Sequence, residues 1–437
     1  MEWYSILLLI FSGLVVLMAT GMPIAFCFLL INVLGMFFFF GGEAGLRQLT
    51  ISLVDSITLF TLLPLPLFIL MGEVMFRSGV APNMLDAIDK WLGRLPGRLG
   101  LLAVGGGSVF ASLSGASVAS TAMLGSVLVP EMEKRGYRKP MSLGPILGSG
   151  GLAIMIPPTS LGVLLGAIAQ ISIGQILIAI IVPGLLMAFL YSGYILIRCH
   201  LQPSIAPSYD VPPVPLSVKL TAFLRYILPL GSIIFLVTGV IFVGVATPSE
   251  AAATGAAGTF LLTAAYGRLS RDVVRKSFMG TVQITVMMFT ILASAKAFSQ
   301  ILAFTEATKG LAELALSLPF PPLMIFVAMQ IVVLIMGMFM NPVAIMMVCV
   351  PVFLPIIYKL GFDPVWFAVI ILLNIEMGVT SPPFGFGLFV MKGVAPPDTR
   401  MGDIYKAALP FLGCDLIAMI VIIAFPPIAL WLPSMML

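Results

Sequence analysis

Ile156-Pro157-Pro158-Thr159 and Ser381-Pro382-Pro383-Phe384 decide how this chain is read: each sets a proline pair inside an apolar run, and the two stand 225 positions apart. Proline lacks the backbone donor a helix needs and disfavours helix in the residue before it, so each pair breaks a helix that its surroundings would continue. The same offset superposes Pro23 on Pro248, Pro130 on Pro355, Gly136 on Gly361 and Gly162 on Gly387. Val118, Ala119, Val127 and Lys134 likewise meet Val343, Ala344, Val352 and Lys359. One repeat unit is used twice, over residues 1–200 and 221–437, with a proline-rich linker over 201–220.

The 437 residues are 60% hydrophobic and 9% charged, with a mean hydropathy of +1.16. A soluble domain carries about a quarter charged residues, so this is an integral membrane protein. Apolar stretches of about 20 residues, the length that crosses hydrocarbon, follow one another from Trp3 to the C-terminus, and roughly ten to twelve crossings are expected. Ser5-Ile-Leu-Leu-Leu-Ile-Phe11 and Ile417-Ala-Met-Ile-Val-Ile-Ile-Ala-Phe425 lack the alternation of a membrane barrel. The expected class is an all-α polytopic membrane protein. Met1-Glu-Trp-Tyr4 has no basic region of a cleaved signal, so the first apolar run reads as a retained helix. Cys27, Cys199, Cys349 and Cys414 are scattered and His200 is the single histidine, a pattern that fits packed thiols better than a zinc site or a catalytic triad. The net charge of +4 concentrates in short loops and reports orientation in the lipid bilayer, not nucleic-acid binding.

Loop charge also orients the halves. Gly267 to Lys276 carries Arg268, Arg271, Arg275 and Lys276 against Asp272, which places it on the cytoplasmic side. Its mate, Gly42 to Ile51, holds only Glu43 and Arg47. Conversely Lys134, Arg135, Arg138 and Lys139 form a basic loop whose mate, Lys359 to Pro364, has one lysine and one aspartate. Both loop pairs point to inverted-topology repeats, the build in which secondary transporters bind near the midplane. Arg77, Lys90, Arg94 and Arg98 sort to neither face.

Each half contains two interruptions. These are Ser112 to Thr121 and Ile156 to Ser160 in the first, Met340-Asn341-Pro342 and Gly378 to Pro383 in the second. They free carbonyls at membrane depth, which together with Ser, Thr and Asn oxygens can replace the water of a sodium ion. Packing kinks are the alternative for any one of them. The breaks are expected to assemble with the Ser114 region beside the Met340 region and the proline pairs closing the centre. Glu73, Glu250, Lys296 and Glu376 are charges in or beside apolar runs. Lys296 is a candidate for attracting a substrate carboxylate, against a salt bridge to Glu73 or Glu376, or snorkelling. Glu250 follows Pro248 near a helix start, where a carboxylate is favoured structurally. Trp3, Tyr4, Trp91, Trp366 and Trp431 read as interfacial anchors.

Pro64-Leu-Pro-Leu-Phe68-Ile-Leu-Met-Gly72, Ser114-Gly-Ala-Ser-Val-Ala-Ser-Thr121, Pro130-Glu-Met-Glu-Lys-Arg-Gly136-Tyr137, Ile156-Pro-Pro-Thr159, Ala246-Thr-Pro-Ser-Glu-Ala-Ala252 and Ser381-Pro-Pro-Phe-Gly385 together resemble the large membrane subunit of the tripartite ATP-independent periplasmic (TRAP) transporters, the DctM-like family. The resemblance implies an elevator-type carrier with a scaffold, a transport domain and two re-entrant hairpins. It implies Na+-driven uptake of an organic acid into a bacterial cell across the inner membrane, with a small four-helix membrane subunit and a periplasmic substrate-binding protein as partners. A stand-alone Na+-coupled dicarboxylate or anion carrier is the alternative; an enzyme is not expected. Carried over by the resemblance, Ser114, Gly115, Ser117, Met340, Asn341, Gly378, Ser381 and Pro382 are the expected Na+ ligands, and Thr159 and Ser160 the expected substrate contacts. The family commonly has aspartate where this chain has Ser120, and threonine where it has Ser381. A neutral Ser120 puts in question any sodium site that depends on that carboxylate.

Overall fold

A computed structural model describes residues 2–114, 117–207 and 214–436, the side chains of 111–114 and 118 excepted. Regular structure among them is helical throughout. The first half runs α1 (Trp3–Ala19), α2 (Ile24–Phe39), α3 (Glu43–Ile57), α4 (Pro64–Arg77), α5 (Ala81–Leu92), α6 (Arg98–Ser114), α7 (Ser117–Lys134), α8 (Lys139–Met155), α9 (Ser160–Ala169), α10 (Ile173–Ala179) and α11 (Ile181–Leu201). The second runs α12 (Leu216–Ala222), α13 (Leu228–Phe242), α14 (Pro248–Ala265), α15 (Arg271–Phe304), α16 (Ala307–Ser317), α17 (Pro322–Gly337), α18 (Pro342–Lys359), α19 (Pro364–Thr380), α20 (Phe386–Val394), α21 (Met401–Ala424) and α22 (Pro427–Ser434).

Shifted by 225 positions, α7 and α8 fall on α18 and α19 residue for residue, and α5, α6 and α9 fall on α16, α17 and α20 to within two residues. Helix ends repeat as well. Gly136 and Gly361 follow α7 and α18 with φ of 79° and 76°, left-handed values that glycine adopts without a Cβ clash. At these ends Tyr137 N donates to Met132 O at 3.0 Å and Phe362 N to Ile357 O at 3.1 Å, so one cap closes both helices. Both proline pairs have cis peptide bonds. The halves differ at α15, whose 34 unbroken residues cover positions that α3 and α4 divide. Pro64 and Pro66 stand where the second half has Phe289 and Ile291, and only the latter pair can continue a helix.

Within the segment expected as the linker, 201–220, α11 ends at Leu201 and α12 starts at Leu216, with Pro215 at its N-cap. Among the described residues, six helical stretches are long and apolar enough to cross a membrane, α8 with α9 makes a seventh that is bent by 44°, and five further apolar helices run 10–17 residues. Trp366 is core and not an interfacial anchor: it is 3% exposed and stacks on Phe326 at 4.7 Å. Its indole donates to Ile422 O at 3.0 Å, a carbonyl whose helical donor would be the amide of residue 426, which is a proline.

Basic loops share one face. Arg98 pairs with Asp89 at 2.6 Å, Leu99 N donates to Tyr137 Oη at 3.4 Å, and Arg138 N donates to Ile205 O at 2.9 Å. Lys219 lies 6.0 Å from the Trp91 ring, Tyr266 donates to Arg225 O, and a Cβ on Gly79 would stand 3.5 Å from the Arg268 guanidinium. Arg77, Lys90, Arg94 and Arg98 therefore lie on the face of the 267–276 loop. On that face Lys139 bridges the halves, 2.8 Å from Glu133, 3.0 Å from Asp398 and 2.8 Å from Thr399 Oγ1. The Lys139 hydrogen bond holds the Asp398 carboxyl below the usual carboxylate range. From here α15 runs about 50 Å to the opposite face, where α16 packs Gly310 on Trp3.

Candidate ion and substrate sites

At the second break, α17 and α19 meet main chain to main chain. A Cβ on Gly337 would stand 2.5 Å from Gly378 Cα, and the converse distance is the same. The turn at 338–341 is thereby seated against the end of α19, with Phe339 and Phe384 rings 5.6 Å apart. Asn341 Oδ1 accepts from Ala344 N at 3.0 Å, capping α18. Ser381 Oγ donates to Met377 O at 2.6 Å, Ser381 N to Gly378 O at 3.1 Å, and Gly385 N to Ser381 O at 3.0 Å. Among the described residues nothing donates to the carbonyls of Met340 or Pro382. Met340 and Asn341 thus follow α17, and Ser381 and Pro382 follow α19, just beyond the point where Gly337 and Gly378 bring the two helices together. The contacts seen join the Met340 turn to the break of its own half; the Ser114 turn that it is expected to meet lies largely outside the described residues.

Of the first turn, Gly115 and the Ser114 side chain lie outside the described residues. Ser117 is buried, and its hydroxyl donates to Glu376 Oε1 at 3.1 Å, which carries the first half into the second. Ser120 is fully buried. Thr159, at the N-cap of α9, is also fully buried and its hydroxyl has no partner among the described residues; Ser160 beside it is 6% exposed. Asp415 on α21 receives the Tyr191 hydroxyl from α11. The sequence reading passes over this pair, although a carboxylate in an apolar run is the same signal that singles out Lys296.

Neither salt bridge open to Lys296 is made: Glu73 pairs with Arg77 at 3.1 Å and Glu376 takes Ser117. Lys296 instead lines a cavity of about 390 Å³ between α15, the end of α3, the end of α9 and α18. Gln170, Ser299, Gln300 and Ser56 supply its other polar groups. Ser52 Oγ donates to Gln300 Oε1 at 2.6 Å, leaving the amide nitrogen free to donate. One ammonium and convergent amides suit a carboxylate. Thr159 and Ser160 lie at the far end of α9, about 15 Å away, so they do not share this cavity. Glu250 is structural, as expected: it closes a capping box, accepting from Thr247 N at 2.7 Å.

The profile of the "Tripartite ATP-independent periplasmic transporter, DctM component" family matches residues 11–428. The chain is similar to the C4-dicarboxylate TRAP transporter large permease protein DctM of Pseudomonas aeruginosa, with 32% identity over 89% of this chain and 90% of that one. It is likewise similar to the protein of the same description from Rhodobacter capsulatus, with 30% identity over 98% and 99% of the two chains. In fold it resembles the solved Alcanivorax borkumensis YdaH transporter, with a TM-score of 0.63 and 17% identity over 88% and 90% of the two chains. Matched over nearly its whole length, the chain belongs to the DctM family of TRAP transporter membrane components.

Proposed function

We propose that this chain is the large permease of a Na+-coupled TRAP importer that carries a small organic acid across a bacterial inner membrane. The observation that carries the coupling is the cluster at the second break, where two carbonyls without donors stand beside Asn341 and Ser381 at the end of an apolar helix. Such oxygens are what a cation takes in exchange for water at membrane depth. The relatives described as C4-dicarboxylate permeases support a dicarboxylate or similar acid as substrate, and Lys296 with Gln300 and Gln170 supplies matching chemistry. The family description, a component of a tripartite system, supports a small four-helix membrane subunit and a periplasmic binding protein as partners.

Lys139 meeting Asp398 supports oppositely oriented halves. The loop that precedes the broken helix of the first half shares a face with the loop that follows the broken helix of the second. In this reading α6–α9 and α17–α20, with their turns as re-entrant hairpins, form the transport domain of an elevator. It slides past α1–α4 and α13–α15, and the 390 Å³ cavity lies along that boundary. Sodium bound at the turns stabilises the substrate-competent form, and the loaded domain moves as a body.

Proteoliposomes holding this chain and its small subunit, given labelled succinate, the binding protein and an inward Na+ gradient, test the reading. Accumulation should collapse when K+ replaces Na+. Equal uptake in K+ refutes the coupling, and equal uptake without binding protein favours the stand-alone carrier.

A further inference from the structure

A polar chamber one turn before the second break belongs to neither turn. Glu376, Asp415 and Tyr191 line it with Thr380, Gly148 and Gly151, and its volume of about 10 Å³ holds one water-sized particle. Its two carboxylates come from different helices, α19 and α21, and are 1% and 3% exposed. Glu376 Oε1 is taken by Ser117 and one Asp415 oxygen by Tyr191. Glu376 Oε2, in this chamber, has no partner among the described residues. Among the described residues no lysine, arginine or histidine pairs with either group.

A buried carboxylate oxygen without a donor is a costly arrangement in an apolar bundle, and a small cation in the chamber removes the cost. We propose that the chamber is a Na+ site with Glu376 Oε2 and the Asp415 carboxylate as its anionic ligands. This rests on the Na+-coupled reading above and adds to it the negative charge that the neutral sets around Ser117 and Asn341 lack, and that Ser120 does not provide. Through Ser117 the bound ion also fixes the start of α7, so the chamber links the first turn to the second half. Gly151 makes the space, since a Cβ there would stand 2.8 Å from Glu376 Cγ and 3.0 Å from Oε1.

Binding of radioactive sodium to the purified full-length chain in nanodiscs tests the site, with thermal unfolding to confirm that each variant is folded. Glu376→Gln and Asp415→Asn should each remove one bound equivalent or weaken it about tenfold or more. Gly151→Ala keeps both carboxylates but pushes Glu376 aside, and should weaken the same equivalent. Ser232→Ala, at an exposed position of α13 away from both turns, should leave it in place. If the wild-type chain binds sodium and all three chamber variants match it, the chamber holds only water and the proposal fails while the Na+-coupled reading stands. If the wild-type chain binds none, both fail.

Discussion

Gly378→Ala tests whether close packing of two helices sets the sodium affinity of the second turn. In the wild-type chain a Cβ at Gly378 would stand 2.5 Å from Gly337 Cα and 3.0 Å from its carbonyl carbon. Carbon atoms in good contact lie about 3.5–4.0 Å apart, so α17 and α19 must part by roughly 1 Å to admit the methyl group. The obstacle is main chain, with no rotamer to change, and overpacking of this kind costs about 1–3 kcal/mol. Met340 and Asn341 are carried by the turn after α17, whereas Gly378 and Pro382 are carried by α19 and the break after it. The same parting therefore spreads the ligand set. Na+ titration of uptake should give a half-saturating concentration raised about tenfold, the equivalent of 1.4 kcal/mol, and thermal unfolding in detergent should come some degrees lower. A variant with a lowered melting point and unchanged Na+ half-saturation would break the link between packing and site, and wild-type values for both would refute the contact. Gly337→Ala should behave the same way, because the obstruction is mutual.

Lys296→Gln keeps a polar side chain in the cavity and removes its charge, so KM for the acid should rise about tenfold or more, the worth of a charge-assisted hydrogen bond. An unchanged KM removes Lys296 from the substrate path. Thr159→Val deletes a buried hydroxyl with no partner among the described residues, which should raise the melting point by the equivalent of about 1 kcal/mol; if Thr159 touches substrate, uptake falls at the same time, and unaltered uptake assigns it to packing alone. Trp366→Phe leaves the Ile422 carbonyl without its donor and should cost about 1–3 kcal/mol, read as a lower melting point, with no change in KM.

What is legible in the sequence is what the chain settles locally. The proline pairs, the glycines at 136 and 361 and Glu250 in the first turn of α14 each act within a few residues, and each appears in the structure where the pattern places it. The asymmetry between α3–α4 and α15 is local too, since Pro64 and Pro66 against Phe289 and Ile291 state it. Contacts between distant segments are not legible. Ser117 meets Glu376 across 259 positions and Tyr191 meets Asp415 across 224, and nothing in the spacing of either pair encodes the meeting. Trp366 misleads for a related reason. A tryptophan near a helix end suits an interface, but the carbonyl that Pro426 leaves open draws it into the core.

The two ends of the first half lie on opposite faces: α1 starts beside Gly310 where α15 ends, and α11 runs out beside Arg138 on the basic face. A unit that enters on one side and leaves on the other needs no rearrangement to become a two-fold. On the inverted-repeat reading, a second unit that follows the first in the chain starts on the face where the first stops and is threaded in the opposite sense, and basic loops in one unit with near-neutral mates in the other hold each in its orientation. The 225-residue offset is then the length of one unit with its linker, and the unbroken α15 is one place where the two units differ.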